Sequence, residues 1–132
     1  MEDNRENLKK ILNESGDYSV VGSLWIEYNE EKFFGPGRIE LLQHIDETGS
    51  ISKAAKEMKM SYKKAWNMIN ELNSQTRIPF VILKTGGKEG GGAVLSEAAR
   101  DMIVYAQELR MRFQEFLKIE TNKFKKDFFQ TF

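Results

Sequence analysis

Three short helical segments joined by very tight links constrain the fold of this chain more than any other feature of its sequence. From Arg38 onwards, apolar residues recur at the three- and four-residue spacing of amphipathic helices. Links at Thr48-Gly49 and Lys59-Met60 divide the stretch into helices of about 10, 8 and 15 residues. Pro36 is well placed just before the first helix, and Gly49 suits its C-terminus. Three helices with such short connections indicate a helix-turn-helix.

Strand-like segments flank these helices on both sides. Apolar and other residues alternate from Tyr18 to Tyr28, which predicts a strand, and residues 29–32 predict a turn into a short return strand at Phe33-Phe34. After Pro79, the segments 80–84 and 93–95 are again strand-like. We therefore expect a mainly α fold with small β elements: a winged helix-turn-helix with an N-terminal β-hairpin and a long C-terminal helix.

The same pattern predicts three regions. Residues 1–35 form a charged helical lead-in, Glu2 to Asn13, followed by the hairpin. Residues 36–96 form the winged helix-turn-helix. Ser96 then caps a long helix, helped by Glu97 in its first turn, so residues 97–132 form a C-terminal helical region that we interpret as a dimerisation element.

Composition limits the classes of function. The chain has 132 residues, 40% of them hydrophobic, which suffices for one compact core. No apolar run approaches the roughly 18–20 residues that span a bilayer, and Met1 to Lys10 lacks the apolar segment of a signal peptide. We therefore expect a cytoplasmic protein with no membrane partner. The chain contains no cysteine, which excludes disulfides and thiolate metal sites.

The charge of the chain is zero overall but unevenly distributed. Residues 1–34 carry four basic and eight acidic residues, whereas residues 50–77 carry six basic and two acidic ones. A local basic face on a neutral protein is enough to meet phosphates, and it limits non-specific binding.

The third helix of the module, residues 61–75, has the two faces of a recognition helix. Ala65, Met68, Ile69 and Leu72 share one arc, while Lys63, Asn67 and Asn70 lie opposite, with Lys64 beside them. Asparagine can bind the major-groove edge of adenine, and lysine reaches guanine or phosphate. A merely solvated polar face is the alternative. Tyr62 and Trp66 lie between the arcs: Tyr62 contacts sugar-phosphate or the preceding helix, and Trp66 packs into the core or contacts DNA.

A glycine-rich segment, residues 86–92, joins the last two strand-like segments. No GK[ST] sequence follows it and it joins strand to strand, which excludes a P-loop or a dinucleotide-binding fingerprint. We interpret residues 84–95 as a wing on the DNA backbone or minor groove; a mobile hairpin without contacts is the alternative. The DNA-binding residues predicted from helix caps, recognition helix and wing are Ser50, Ser52, Ser61, Tyr62, Lys63, Lys64, Trp66, Asn67, Asn70, Lys84 and Lys88.

Several separated motifs resemble one known family. Gly37-Arg38-Ile39, the segment from Gly49 to Ala55, the segment from Met60 to Trp66, and the wing from Thr85 to Leu95 are similar to the DNA-binding domain of the ModE family of molybdate-responsive regulators. The sequence departs chiefly at Glu89, where glycine is common in that family. The resemblance covers about residues 20–117 and extends, more loosely, to the helix-turn-helix of LysR-type regulators.

The resemblance implies a winged helix that dimerises through helical and N-terminal elements and binds palindromic DNA. Full-length ModE proteins also have C-terminal molybdate-binding domains, for which a chain ending at Phe132 leaves no room. We therefore expect no molybdate-binding domain in this chain, and molybdate sensing is not supported.

The long C-terminal helix carries a continuous apolar stripe that either packs on the module or forms a dimer seam. We expect the seam, formed by Met102, Ala106, Leu109, Phe113 and Phe116. His44 is the only histidine and is expected to be a structural or surface residue and not a metal ligand. A metal site would need carboxylates alone, and none cluster at ligand spacing. No catalytic set is recognisable, so we expect neither an enzyme nor a cofactor.

Together these features predict a homodimeric transcriptional regulator that binds double-stranded DNA. The rival hypothesis is a protein-interaction module, in which the winged helix binds another protein and not DNA.

Overall fold

The computed structural model describes residues 4–85 and 92–129. These residues form five helices and four strands in two antiparallel pairs, in the chain order α1 (Arg5–Ile11), β1 (Ile26–Tyr28), β2 (Glu31–Phe34), α2 (Pro36–Thr48), α3 (Ile51–Glu57), α4 (Tyr62–Ser74), β3 (Val81–Lys84), β4 (Gly92–Leu95) and α5 (Glu97–Phe129). The predicted winged helix-turn-helix is confirmed: α2, α3 and α4 are the three helices, and β3–β4 is the wing hairpin. The predicted loop residues 86–91, including Lys88, lie outside the described residues.

The chain divides into two compact units, of which Leu24–Glu108 is the larger. Its core is built mainly on α2, where Leu41, Leu42 and Ile45 are fully buried, and Ile69 and Leu72 of α4 pack in the same cluster. The first turns of α5 add Ala99 and other small or apolar residues to this cluster. The buried face of each helix therefore fixes which of its faces remains in solvent.

The predicted strand from Tyr18 to Tyr28 is largely wrong, because only Ile26–Tyr28 is a strand. It pairs with β2 around a two-residue turn in which Asn29 and Glu30 have φ values of 51° and 67°. Positive φ at both turn positions is typical of a tight hairpin. Earlier residues satisfy their backbone elsewhere: the Val20 amide donates to Thr121 Oγ1 at 2.9 Å, so the alternating pattern there has no strand partner.

The second unit contains residues 4–23 together with residues 109–129. An aromatic cluster holds it together: Tyr18 stacks on Phe129 at 5.6 Å, and Phe124 lies edge-on to Phe128 at 4.9 Å. Lys125 Nζ also lies 3.2 Å from Asp17 Oδ1. The aromatic residues near the C-terminus thus pack against the extended segment that follows α1.

The final helix begins as predicted, with the Ala99 amide donating to Ser96 Oγ at 3.2 Å. Helix α1 covers Arg5–Ile11, so the predicted lead-in helix ends two residues before Asn13, and Glu2 and Asp3 lie outside the described residues. Among the described residues, no helix is both long and apolar enough to cross a membrane.

Candidate nucleic-acid interface

Helix α4 presents the two faces that its sequence predicts. Ser61 is its N-cap, and Ser61 Oγ accepts a hydrogen bond from the Lys64 amide at 3.1 Å. Ala65, Ile69 and Leu72 are at most 2% exposed. The opposite face is solvent-accessible throughout, and its members are Lys63, Lys64, Asn67 and Asn70. The helix therefore holds four polar or basic side chains in solvent on a rigid, well-packed support.

The turn between α2 and α3 is fixed by hydrogen bonds around Gly49. Gly49 has a φ of 68° and ends α2 in the left-handed region, which glycine adopts without strain. Thr48 Oγ1 donates to the carbonyl oxygen of His44 at 2.7 Å. Ser50 is the N-cap of α3, and its Oγ accepts a hydrogen bond from the Lys53 amide at 3.1 Å. Ser52 lies exposed in the first turn.

The wing hairpin is attached to this same turn. Its strands pair in the register Val81↔Leu95 to Lys84↔Gly92. The Ala93 amide donates to the Gly49 carbonyl at 3.0 Å, and a Cβ added to Gly92 would lie 2.9 Å from the same oxygen. Only a glycine at position 92 permits this approach without a shift of backbone. Lys84 is exposed at the end of β3, whereas the predicted wing residue Lys88 lies outside the described residues.

Arg38 fastens the C-terminal end of α4 to the β1–β2 hairpin. Its Nη1 lies 2.8 Å from the Phe33 carbonyl and 3.0 Å from both the Lys32 carbonyl and Gln75 Oε1. Its Nη2 lies 3.1 Å from Glu71 Oε1, and the arginine side chain is only 11% exposed. A buried guanidinium needs such partners, because an unpaired buried charge is strongly unfavourable. Sequence analysis singled out Arg38 only as part of a motif and missed this role.

Asn73 links the same end of α4 to the wing. Its Oδ1 accepts from the amides of Phe80 at 2.8 Å and Val81 at 3.2 Å, and its Nδ2 donates to the Val81 carbonyl at 3.1 Å. The position of Asn73 in the helical pattern does not indicate this role, because both partners follow the helix in sequence. Phe80 lies in the loop, and Val81 is the first residue of β3.

A cleft of about 420 Å³ lies between α3, α4 and the wing. Five of the predicted DNA-binding residues line it together, namely Ser50, Ser52, Tyr62, Trp66 and Lys84. Tyr62 and Trp66 stack on one another, with ring centroids 6.3 Å apart and planes 15° apart. Of the other predicted residues that the structure describes, none lines the cleft: Ser61 caps α4, and Lys63, Lys64, Asn67 and Asn70 form its exposed face.

Close contacts between ionisable side chains join the other helices of the module. His44 Nδ1 lies 2.6 Å from Glu57 Oε2, so the two side chains bring α2 and α3 into contact here. Contrary to the sequence-based expectation, potential metal-ligating atoms do come together here, since those of His44, Glu47 and Glu57 lie within 4.8 Å of one another. Spacing along the chain could not indicate this, because Glu57 belongs to a different helix.

An ion pair joins the first turn of α5 to α2. Arg100 contacts both carboxylate oxygens of Asp46, at 2.8 and 2.9 Å. These hydrogen bonds, followed by the charge of Asp46, raise the pKa of Arg100 above its ordinary value. The guanidinium therefore stays charged, as arginine side chains do in proteins.

Comparison with known proteins assigns this architecture. Residues 37–100 match the family described as bacterial regulatory helix-turn-helix protein, lysR family. We call these residues, which are similar to that family, the LysR-type module. The LysR-type module coincides with α2 to the start of α5, which is the part of the chain that carries the exposed face of α4 and the cleft.

Two of the three relatives described here carry regulatory names, and the expected resemblance to the ModE family is confirmed. The chain is 45% identical over 80 residues to the DNA-binding transcriptional dual regulator ModE of Escherichia coli K12, covering 61% of this chain and 30% of that protein. It is 38% identical over 92 residues to the transcriptional regulator ModE of Haemophilus influenzae, covering 70% and 36%. It is 46% identical over 69 residues to the molybdenum-pterin-binding protein MopB of Rhodobacter capsulatus, covering 52% and 26%. The chain thus spans about a third of the length of these curated relatives.

Proposed function

We propose that this chain binds double-stranded DNA through its LysR-type module and acts in transcriptional regulation. The observation that carries the proposal is the division of α4 into a buried face and an exposed face. Ala65 and Leu72 are fully buried, while Lys63, Asn67 and Asn70 stand in solvent on the other side. The regulatory names of the relatives support the same function.

The chemistry of the exposed face fits the major groove of DNA. An asparagine amide can donate and accept at once, as the N6 and N7 edge of adenine requires. Lysine reaches guanine or a phosphate as a flexible point charge. In this proposal, α4 is the recognition helix, corresponding to the predicted span 61–75, and its first turns reach furthest into the groove.

The wing supplies contacts to the DNA backbone in this proposal. Lys84 is exposed where β3 ends, on the rim of the cleft beside α3. We propose that Lys84 and Lys88, within the predicted wing 84–95, neutralise phosphates along the backbone or minor groove. Such contacts fix the register of the module on the duplex without reading its sequence.

We further propose that the regulator is a homodimer formed through the apolar stripe of α5: Met102, Ala106, Leu109, Phe113 and Phe116. Phe116 supports this, because its side chain is 54% exposed. A dimer would place two recognition helices about one DNA turn apart, ~34–36 Å. Light scattering on a sizing column should show a dimer, and Phe116→Glu should shift it to a monomer. A monomeric unmodified protein would contradict the seam.

Selection of bound duplexes from a random pool tests the DNA-binding proposal. We expect one enriched sequence with two half-sites, and tighter binding of this duplex than of random DNA. Asn67→Ala should relax the base preference at one position of each half-site, while Lys84→Ala should weaken all sequences and flatten the salt dependence by about one. The matched controls are Asn122→Ala and Lys118→Ala, both at exposed positions of α5, where we expect no change.

The same measurements separate the rival hypothesis of a protein-interaction module. A fluorescence titration with random duplex DNA at low salt should show binding, because non-specific binding is mainly electrostatic. Absence of binding at low salt would overturn our proposal and favour the protein-interaction module. Binding that neither Asn67→Ala nor Lys84→Ala affects would show that a different surface contacts DNA.

A further inference from the structure

The stacked pair Tyr62 and Trp66 belongs neither to the buried face of α4 nor to its exposed polar face. Tyr62 is 54% exposed in the first turn of the helix. Trp66 follows one turn later and packs partly against the core. The two rings stack with centroids 6.3 Å apart, so they form one continuous aromatic surface that remains accessible. An accessible aromatic surface at the start of a recognition helix is suited to an apolar contact with bound DNA.

The cleft beside this pair is lined by apolar residues together with polar and basic ones. Leu83, which is 50% exposed, contributes aliphatic surface, and the buried residues Ile51 and Ala93 also line the cleft. Lys84 and Ser52 line it as well, and Lys63 and Lys64 lie beside Tyr62 in the first turn of α4. Positive charge around apolar surface complements an occupant that is negatively charged and carries small apolar groups. DNA has both properties.

We propose that Tyr62 and Trp66 contact the C5 methyl groups of thymines, so that this aromatic pair makes the chain favour thymine at fixed positions of its binding site. This inference rests on the proposed function, since it requires α4 in the major groove. The thymine methyl is the apolar group that base pairs present there. First-turn residues of a recognition helix approach base edges most closely, and Tyr62 is the first residue of α4.

Asn67, the neighbouring asparagine, can add a polar contact to this apolar one. Asn67 directly follows Trp66 and lies on the exposed face of α4. An A·T pair presents the N6 and N7 edge of adenine on one strand and the methyl of thymine on the other. Asn67 would bind the adenine edge while the aromatic pair covers a thymine methyl of the same or the adjacent pair. The two contacts together distinguish A·T from T·A and from both G·C orientations.

Replacing thymine by uracil tests the inference on the unmodified protein, because the two bases differ only by the methyl group. The probe is the duplex recovered by the selection described above, synthesised with thymine or with uracil at each A·T pair in turn. Burial of one methyl group corresponds to about a fourfold change in affinity. We therefore expect uracil to weaken binding about fourfold at one or two positions of each half-site and to have no effect elsewhere.

Variants assign the uracil effect to the aromatic pair. In Tyr62→Ser and Trp66→Leu, the duplexes with thymine and uracil should bind equally. Trp25→Leu is the matched control: Trp25 directly precedes β1, is 44% exposed and lies outside the cleft, so this variant should retain the full uracil effect. Tyr62→Ser also guards against misfolding, because truncation of a half-exposed side chain leaves the core intact; circular dichroism verifies this.

Each result decides the inference separately from the proposed function. Equal binding of thymine and uracil duplexes by the unmodified protein would overturn the methyl contact and leave DNA binding standing. An unchanged uracil effect in both Tyr62→Ser and Trp66→Leu would also overturn it, since another group would then read the methyl. Failure to select any duplex would instead overturn the proposed function.

Discussion

Replacement of Arg38 by methionine should destabilise the chain more than its position at the edge of α2 suggests. Methionine retains the apolar stem of arginine but removes every donor. The carbonyl oxygen of Phe33 and Gln75 Oε1 each lose a hydrogen bond of about 3 Å. The Lys32 carbonyl is better protected, because Gln75 Nε2 also donates to it at 2.9 Å.

The magnitude follows from these partners. A buried acceptor left without a donor costs about 1–3 kcal/mol, and one or two acceptors are affected. Loss of the ion pair adds little, because the Glu71 side chain is 46% exposed and is hydrated once its partner is gone. We expect the free energy of unfolding to fall by about 2–4 kcal/mol in Arg38→Met. Arg38→Lys should be intermediate, since one ammonium group cannot reach partners on both sides of the guanidinium.

Urea unfolding followed by tryptophan fluorescence measures this change. The midpoint should fall while the slope with denaturant stays constant, which identifies a change in stability and not in the extent of unfolding. Arg77→Met is the matched control, because Arg77 is an exposed arginine of the same unit, and it should change stability by less than about 0.5 kcal/mol. If Arg38→Met changed stability no more than Arg77→Met, the proposed linkage of hairpin and helix would be refuted.

Three further substitutions test the packing of the module. Gly92→Ala should destabilise it by about 1–3 kcal/mol, because the new methyl would lie 2.9 Å from the Gly49 carbonyl; Gly37→Ala, which meets no atom within 4 Å, should not destabilise it, and thermal unfolding compares the two. Ser61→Ala should cost about 1 kcal/mol through loss of the α4 cap, and an unchanged melting temperature would contradict this. Asn73→Ala should accelerate hydrogen exchange at the Phe80 and Val81 amides, and unchanged protection there would show that Asn73 Oδ1 does not hold them.

Much of the module could be predicted because its signals are local. The caps Ser61 and Ser96, together with the two faces of α4, follow from residues three or four positions apart. Alternation alone misled the assignment at residues 18–25, because a strand also needs a partner strand, and Val20 bonds to a helix side chain instead. The period of two is therefore a weaker guide than the helical period when the partner is unknown.

The linkages that hold the module together could not be predicted in the same way. Gln75 Oε1 is 37 residues from Arg38, and the partners of Arg100 and Ala93 are also distant in sequence. Glycine at position 92 looked like part of a flexible loop, although the structure requires it for close contact with the Gly49 carbonyl. Such roles depend on tertiary geometry, which the periodicity of apolar residues along a helix or strand does not reveal.

Arg38 bonds to Glu71 and Gln75 in the last turn and C-cap of α4, and Asn73 lies in the same turn. The residues proposed to read bases lie toward the other end of the helix. From Tyr62 to Ser74 the helix is about 18 Å long. A tilt of only about 5° at the fastened end would displace the first turn by about 1.6 Å over this length, and binding geometry tolerates about 0.5 Å. Residues far from the bases thus determine how accurately α4 is positioned in the groove. A search for variants with altered specificity should therefore include the β1–β2 hairpin as well as the surface of α4.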